Sequence, residues 1–420
     1  MGKLSTKAKT PGMFIDIFAG CGGFSLGLGQ AGWNGIFAIE KDPLAFMTLK
    51  HNLLEGSFKH YSWPKWLPQK AMTVQTLLKN YGDKLRALQG KVDLLAGGPP
   101  CQGFSMAGQR NPTDVRNQLS RRYIDIVQLV RPKLLILENV RGFNTIFSNG
   151  SSARRKTPYS VVVQKKLEDI GYTVFHEYVQ CVRFGVAQAR TRFIMIGVLN
   201  EIACQKEQSP FMLLEKMRTG FLRAKGLPDR PVTVREAIRD LEIYRRGAKL
   251  VKHSGSDKSG FYQLDYRAPR APNAYQRLMR TGMNGEKPNS LRLARHRPET
   301  VERFRDIQKR CLPGCNLGKS DKKAMKIRKQ ALYVLDAAKA SNTLTTLPDD
   351  LLHYSEPRIL TVRENARIQS FPDKFAFKGK YTTGGALRTK ECPRYTQVGN
   401  AVPPLLAEAL GLTLRKYLES

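Results

Sequence analysis

Gly97-Gly98-Pro99-Pro100-Cys101-Gln102-Gly103-Phe104-Ser105 follows the short apolar run Val92-Asp93-Leu94-Leu95-Ala96, which reads as a buried strand. A cysteine is thereby placed on a loop just past the carboxyl end of a strand. In an open α/β sheet, that is where ligands and chemistry collect. Two glycines and two prolines restrict the path of the loop. A thiol in this position is a candidate nucleophile. Taken alone, the segment also fits a buried cysteine beside a turn.

The same rhythm extends to both sides of the loop. Met13 to Phe18 is a predicted strand, the glycine turn Ala19-Gly20-Cys21-Gly22-Gly23 follows it, and Phe24 to Ala31 reads as a helix. Gly35 to Glu40 is a second strand, and Pro43 opens a second helix at a first-turn position. Tyr123 to Val130 has helical periodicity, Leu134 to Leu137 is a buried strand ending at Glu138, Tyr159 to Ile170 is a helix closed by Gly171, and Arg192 to Leu199 is a strand. Strands alternating with helices predict an α/β fold with a parallel-rich twisted sheet and helices on both faces.

After residue 205 the alternation stops. Residues 206–345 are rich in Arg and Lys and are expected to be irregular. α/β character returns near Arg358-Ile359-Leu360-Thr361, with a helix from Val362 to Ser370 and a last helix after Pro403-Pro404. The expected organisation is an α/β domain over 13–205, a basic insert over 206–345, a hinge and returning helix over 346–396, and a closing helix over 397–420.

The chain has 420 residues with 70 Lys+Arg against 35 Asp+Glu, a formal net charge of +35. That excess exceeds what solubility needs and implies a polyanionic partner, nucleic acid before an anionic membrane. No apolar run is long enough to span a bilayer. Met1 to Thr10 has no apolar core and reads as a basic tail, not a signal peptide. The seven cysteines are scattered and odd in number, which points to reduced thiols and a cytoplasmic protein. Cys311 and Cys315 lack a second Cys/His pair at zinc spacing, so no metal site is expected.

Four further segments bear on chemistry. Phe18 to Gly23 is a strand-to-helix turn open to close backbone approach. It is neither the dinucleotide fingerprint nor a phosphate-cradling loop. With Glu40 ending the next strand it fits an adenosine cofactor without pyrophosphate, such as S-adenosyl-L-methionine. Glu138-Asn139-Val140 ends a strand on the same rim as Cys101. Gln188-Ala189-Arg190-Thr191-Arg192 leads into a strand with both arginines projecting one way. Gln397-Val398-Gly399-Asn400 precedes the last helix, which Asn400 could simply cap. Each segment also fits a plain loop, cap or strand end.

In order along the chain, Phe18–Gly23, Glu40, Pro99–Gln102, Glu138–Val140, Gln188–Arg192, Arg358–Pro372 and Gly399–Pro404 resemble the motifs of the DNA (cytosine-5)-methyltransferase family. The resemblance covers nearly all of the chain outside 206–345. It implies the S-adenosylmethionine-dependent methyltransferase fold plus a smaller target-recognition domain. By the same resemblance Cys101 is the nucleophile that adds to C6 of a flipped-out cytosine, Glu138 serves N3, Arg192 serves O2, and Arg190 supports the Cys101 region. Phe18, Gly20, Cys21, Gly22, Gly23, Glu40, Pro100, Leu119 and Asn400 are implied to bind S-adenosyl-L-methionine. Gln102, Ser105, Arg116, Arg292, Arg295 and Arg297 are implied to contact DNA, with Ser105 to Arg116 a lid. The family's third-strand aspartate has no counterpart: Ala71 to Gln75 holds no acid, and Thr73 or Gln75 stands as the substitute.

The partners expected are duplex DNA and a cognate restriction endonuclease, with the enzyme monomeric and nucleoid-associated, of bacterial or phage type. Two rival readings are a tRNA methyltransferase of the same family and a silent DNA-binding relative. The first would carry a Cys-Phe-Thr tripeptide, which is absent. The second predicts a damaged nucleophile or acid, yet Cys101 and Glu138 are both present.

Overall fold

The computed structural model describes residues 11–100, 118–145, 157–244, 247–254, 260–383, 387 and 390–420. Its centre is a six-stranded sheet of β1 (Met13–Ile17), β2 (Asn34–Ile39), β3 (Leu94–Gly97), β4 (Leu134–Asn139), β5 (Tyr172–Gln180) and β6 (Thr191–Leu199), in the order β2-β1-β3-β4-β6-β5. The first four strands run parallel. β6 lies antiparallel to both β4 and β5. The expected parallel-rich α/β sheet is therefore present, with one strand reversed.

Strand alternation decides what covers each face. Phe14, Leu94, Ala96, Leu134, Ile136, Ile194 and Ile196 share one apolar cluster with Leu26 and Leu28 of α1 (Gly23–Gln30). Ile15, Ile17, Leu95, Leu135, Leu137, Phe193 and Met195 share the other. There they meet Leu77 of α3 (Val74–Arg86), Ile126 and Val127 of α4 (Gln118–Val130), and Val163 and Leu167 of α5 (Tyr159–Asp169). Both faces are dry, which is why the central strands read as continuous apolar runs. α2 (Pro43–Leu49) begins as the sequence predicts: the Asp42 carboxylate accepts from Leu44 N and Ala45 N at 2.9 Å, and Pro43 needs no donor there.

The sequence reading misses α3 and β5. It expects a strand end at Ala71 to Gln75, but no strand forms there. Met72 N donates to Glu40 O at 2.7 Å, and Thr73 then caps α3 by accepting from Thr76 N at 3.1 Å. Thr73 is thus spent on a helix start and, like Gln75, is exposed.

The remaining helices are α6 (Asn200–Ala203), α7 (Pro210–Ala224), α8 (Val234–Ile238), α9 (Ala274–Met279), α10 (Pro298–Arg310), α11 (Lys319–Ala324), α12 (Val362–Ile368), α13 (Arg394–Asn400) and α14 (Pro404–Glu419). The basic stretch is thus less irregular than its composition suggests. It holds two long helices, α7 and α10, and among its short ones α8 and α9 are held by capping boxes, Thr233 with Glu236 and Asn273 with Gln276. α7 packs on α14, and Leu213, Leu214, Phe221 and Leu222 join the apolar cluster that contains Leu406 and Leu410. α12 is tied down by ion pairs: the buried Arg367 guanidinium meets Asp240 at 3.0 Å and Asp373 at 2.5 Å. Among the described residues no helix is long and apolar enough to cross a membrane.

β1 has β2 on one side and β3 on the other, so the strand order reverses between β1 and β3. The carboxyl ends of these two strands lead into the Phe18–Gly23 turn and the Gly98–Pro100 loop. Ligand sites in doubly wound sheets lie at this switch point.

Candidate active site

The glycine turn is shaped from three directions. Phe18 holds φ 63°, a left-handed conformation that costs a non-glycine residue about 1–2 kcal/mol. Gly20 follows at φ 58°, and a Cβ there would meet nothing within 4 Å, so its outer side is open. Gly20 N donates to Glu40 Oε2 at 2.9 Å, and Asp42 N donates to Glu40 Oε1 at 2.7 Å. Burial raises the Glu40 pKa, and these two donors partly oppose that rise. A Cβ on Gly23 would sit 2.5 Å from Val402 O, so glycine is what lets the C-terminal segment close behind the turn.

Other residues assigned to this site have distinct places. Cys21 is buried, its Sγ lies 3.6 Å from Gln397 O, and burial pushes its thiol up to about 12. Leu119 is partly buried in the first turn of α4, Pro100 is partly buried, and Asn400 is exposed at the end of α13. Asp16 was not singled out by the sequence. It is buried beneath the turn, where Ser25 Oγ donates to Asp16 Oδ2 at 2.5 Å and Tyr61 OH donates to Ser25 Oγ at 2.7 Å. Burial lifts Asp16 to about 7.

The second half of the site lies at the ends of β4 and β6. Glu138 is paired with Ile194 in the antiparallel register, so Arg192, two residues away, shares its face. Arg192 Nε lies 2.6 Å from Glu138 Oε1, with the side chains 9% and 12% exposed. Burial raises the Glu138 pKa, and Arg192 opposes the rise. Asn139 Nδ2 donates to Pro99 O at 3.0 Å. A Cβ on Gly98 would stand 3.2 Å from Glu138 Oε2. Gly98 therefore lies against the Glu138 carboxylate and Pro99 is tied to the neighbouring Asn139; Pro100 is the last described residue of the loop. Cys101, Gln102, Ser105 and Arg116 lie outside the described residues. Asn139 and Gly98 are functional candidates that the sequence reading passed over, although both stand inside motifs it quoted.

Arg190 has described partners in two distant segments. Its buried Nη1 donates to Gly399 O at 3.0 Å and to Leu344 O at 3.3 Å. It joins the exit of the basic region to the segment before α14. Cys181 lies near the Glu138–Arg192 pair, but it is buried and its thiol is pushed up to about 12, which makes it a poor nucleophile.

Of the arginines assigned to DNA, Arg295 and Arg297 are exposed. Arg292 is only 9% exposed, and its guanidinium lies 3.7 Å from the Tyr381 ring centre and 4.1 Å from that of Phe261.

The model of the C-5 cytosine-specific DNA methylase family matches residues 12–416. The Type II methyltransferase M.DdeI of Desulfomicrobium norvegicum is 31% identical over 97% of this chain and 89% of its own length. The Type II methyltransferase M.XorII of Xanthomonas oryzae pv. oryzae is 28% identical over 96% and 84%. An Escherichia coli prophage-encoded protein, described as a DNA modification methyltransferase, shares the fold at a TM-score of 0.64, with 22% identity over 97% of this chain and all of that one. The chain belongs to the C-5 cytosine-specific DNA methylase family and is a DNA (cytosine-5)-methyltransferase.

Proposed function

We propose that this enzyme methylates C5 of a flipped-out cytosine within a specific duplex DNA sequence, through a covalent bond between Cys101 and C6. The observation that carries the reading is the Glu138–Arg192 pair at 2.6 Å, with Gly98 lying against the Glu138 carboxylate. The Cys101 thiolate adds to C6, which turns C5 into an enamine-like carbon. Glu138, whose pKa burial raises, supplies the proton that N3 needs as negative charge builds on the ring. Arg192 donates to O2. C5 then attacks the cofactor's electrophilic methyl carbon, with the sulfonium sulfur leaving as a neutral thioether; loss of the C5 proton to a base, return of the N3 proton to Glu138 and elimination of the Cys101 thiolate give 5-methylcytosine.

The cofactor is S-adenosyl-L-methionine, which supplies an electrophilic methyl group. The turn fits it: Gly20 leaves open space, and Glu40 stands at the β2 end with a carboxylate that can accept from ribose hydroxyls. Phe18, Pro100, Leu119 and Asn400 complete that side.

Flipping the base costs a few kcal/mol of stacking and pairing. Phosphate contacts by the basic 206–345 region offset this, while Gln102, Ser105 and Arg116 approach the target. The Type II relatives favour a restriction–modification role, with a cognate endonuclease as genetic partner and a monomer acting on cytoplasmic, nucleoid DNA. Methyl transfer to duplex DNA and to tRNA, compared side by side, tests the substrate. Bisulfite sequencing of DNA from cells expressing the enzyme should show one methylated sequence, and transfer to tRNA alone would refute the reading.

A further inference from the structure

The Gln188–Arg192 element does more than carry Arg192. Gln188 Oε1 accepts from Leu344 N at 2.9 Å, and Gln188 Nε2 donates to Gln369 Oε1. Gln369 Nε2 donates in turn to Ala401 O at 2.6 Å. Both glutamines are fully buried. The donors all point one way, so each bond in the chain polarises the next.

The same element binds the same segments through its backbone. Ala189 N donates to Ser341 O at 2.7 Å, and Ser341 N donates to Ala187 O at 3.0 Å. Thr343 Oγ1 donates to Ala189 O at 3.3 Å. Both backbone polar groups of Leu344 are held, its N–H by Gln188 and its carbonyl by Arg190. Residues 341–344 are the exit of the basic region, and residues 399–401 precede α14. A Cβ on Gly399 would lie 2.4 Å from Thr345 O, so these two segments also touch directly.

We infer that Gln188 and Gln369 are positioning residues for methyl transfer. They clasp the exit of the basic region and the 399–401 segment to the element that carries Arg192, four residues beyond Gln188. Arg192 is aimed at Glu138 only while residues 341–344 are seated. Seating of the recognition region is thus transmitted to the catalytic pair. The inference rests on the reading that Arg192 and Glu138 serve the cytosine.

Gln188→Met keeps the side chain's length and removes its donor and acceptor. It should lower kcat about 10- to 100-fold, as small displacements of catalytic groups do. Its Kd for duplex DNA and for S-adenosyl-L-methionine should stay within about twofold of wild type. Gln188→Glu is the second variant. Its protonated carboxylic acid offers one donor and one acceptor, as the amide does, and its ionised form offers only acceptors. The ratio of its kcat to that of wild type should therefore rise as pH falls from about 8 to about 6, because burial raises the carboxyl pKa. A Gln188→Met enzyme with wild-type kcat, or with a defect confined to KM, overturns the inference. If Gln188→Met does not fold, a flat pH ratio for Gln188→Glu overturns it. Arg192→Ala, measured in parallel, separates the two readings. Loss there with none in Gln188→Met removes the clasp alone, and no loss there removes the site reading on which it rests.

Discussion

Arg192 Nε stands 2.6 Å from Glu138 Oε1, across the antiparallel pairing of β4 with β6. The only reversed neighbour of β4 thus delivers the cation to the acid. Burial raises the Glu138 pKa, and Arg192 opposes the rise.

Removing one partner should expose that balance. Arg192→Ala leaves a buried carboxylate without its cation and should cost about 3 kcal/mol of stability. The deficit should grow as pH rises, because the loss matters only while Glu138 is ionised, and should shrink toward pH 4 as the carboxyl takes up its proton. Urea unfolding across that range measures it. Glu138→Gln keeps the shape and should lower kcat by about 10²–10⁴ with DNA affinity retained.

Cys101→Ser should abolish methylation and leave DNA binding in place. Duplex carrying 5-fluorocytosine at the target should trap wild type covalently, because fluorine blocks the final elimination. A trapped complex with the serine variant, seen as a shifted band on a denaturing gel, would remove Cys101 from the mechanism.

Two glycines should respond in opposite ways. Gly98→Ala places a methyl 3.2 Å from Glu138 Oε2 with Glu138 O next at 3.7 Å, and should reduce kcat about tenfold with little change in stability. Gly27→Ala directs its methyl to 2.4 Å from Pro404 O and 2.5 Å from Ala407 Cβ, where α1 lies on α14. It should cost about 1–3 kcal/mol. Thermal melts and initial rates on both variants separate the two effects.

Asp16 should make stability depend on pH. Its folded pKa is about 7 against an ordinary 3.8, so folding holds the proton more tightly than the unfolded chain does. This contribution is fully present below about pH 4 and is lost as pH rises through 7, on the order of 4 kcal/mol across the range. Asp16→Asn cannot ionise and should lose that part of the slope. Equal pH slopes in both proteins would exclude Asp16 as the source.

Arg292 and Arg297 should part company. Arg297→Ala, at an exposed position before α10, should weaken binding to all DNAs alike and reduce the salt slope by about one. Arg292→Ala removes a guanidinium packed between Phe261 and Tyr381 and should lower the melting temperature. Melting curves and binding titrations between low and moderate salt test both.

Much of the architecture was legible because local chemistry dictates it. The apolar runs at Leu94 and Leu134, the proline opening α2 and the glycine turn after β1 each constrain the backbone nearby. The strand β5 was illegible: its exposed edge residues His176, Glu177 and Tyr178 break the apolar pattern. α8 and α9 were overlooked because helices of five or six residues give too few turns for periodicity to show.

The amino-acid sequence by itself determined which residue types stand at strand ends: a thiol, an acid, two arginines and a glycine turn, in an order that marks the family. Only the tertiary structure decided what they do to one another. It set Arg192 against Glu138, turned Arg190 inward to Gly399 and Leu344, laid Gly98 on the acid, and buried Arg292 between two rings. These contacts join residues far apart in the chain, and their partners depend on strand order and register. Side-chain chemistry is local, but the desolvation and pairing that give it a function are properties of the folded packing.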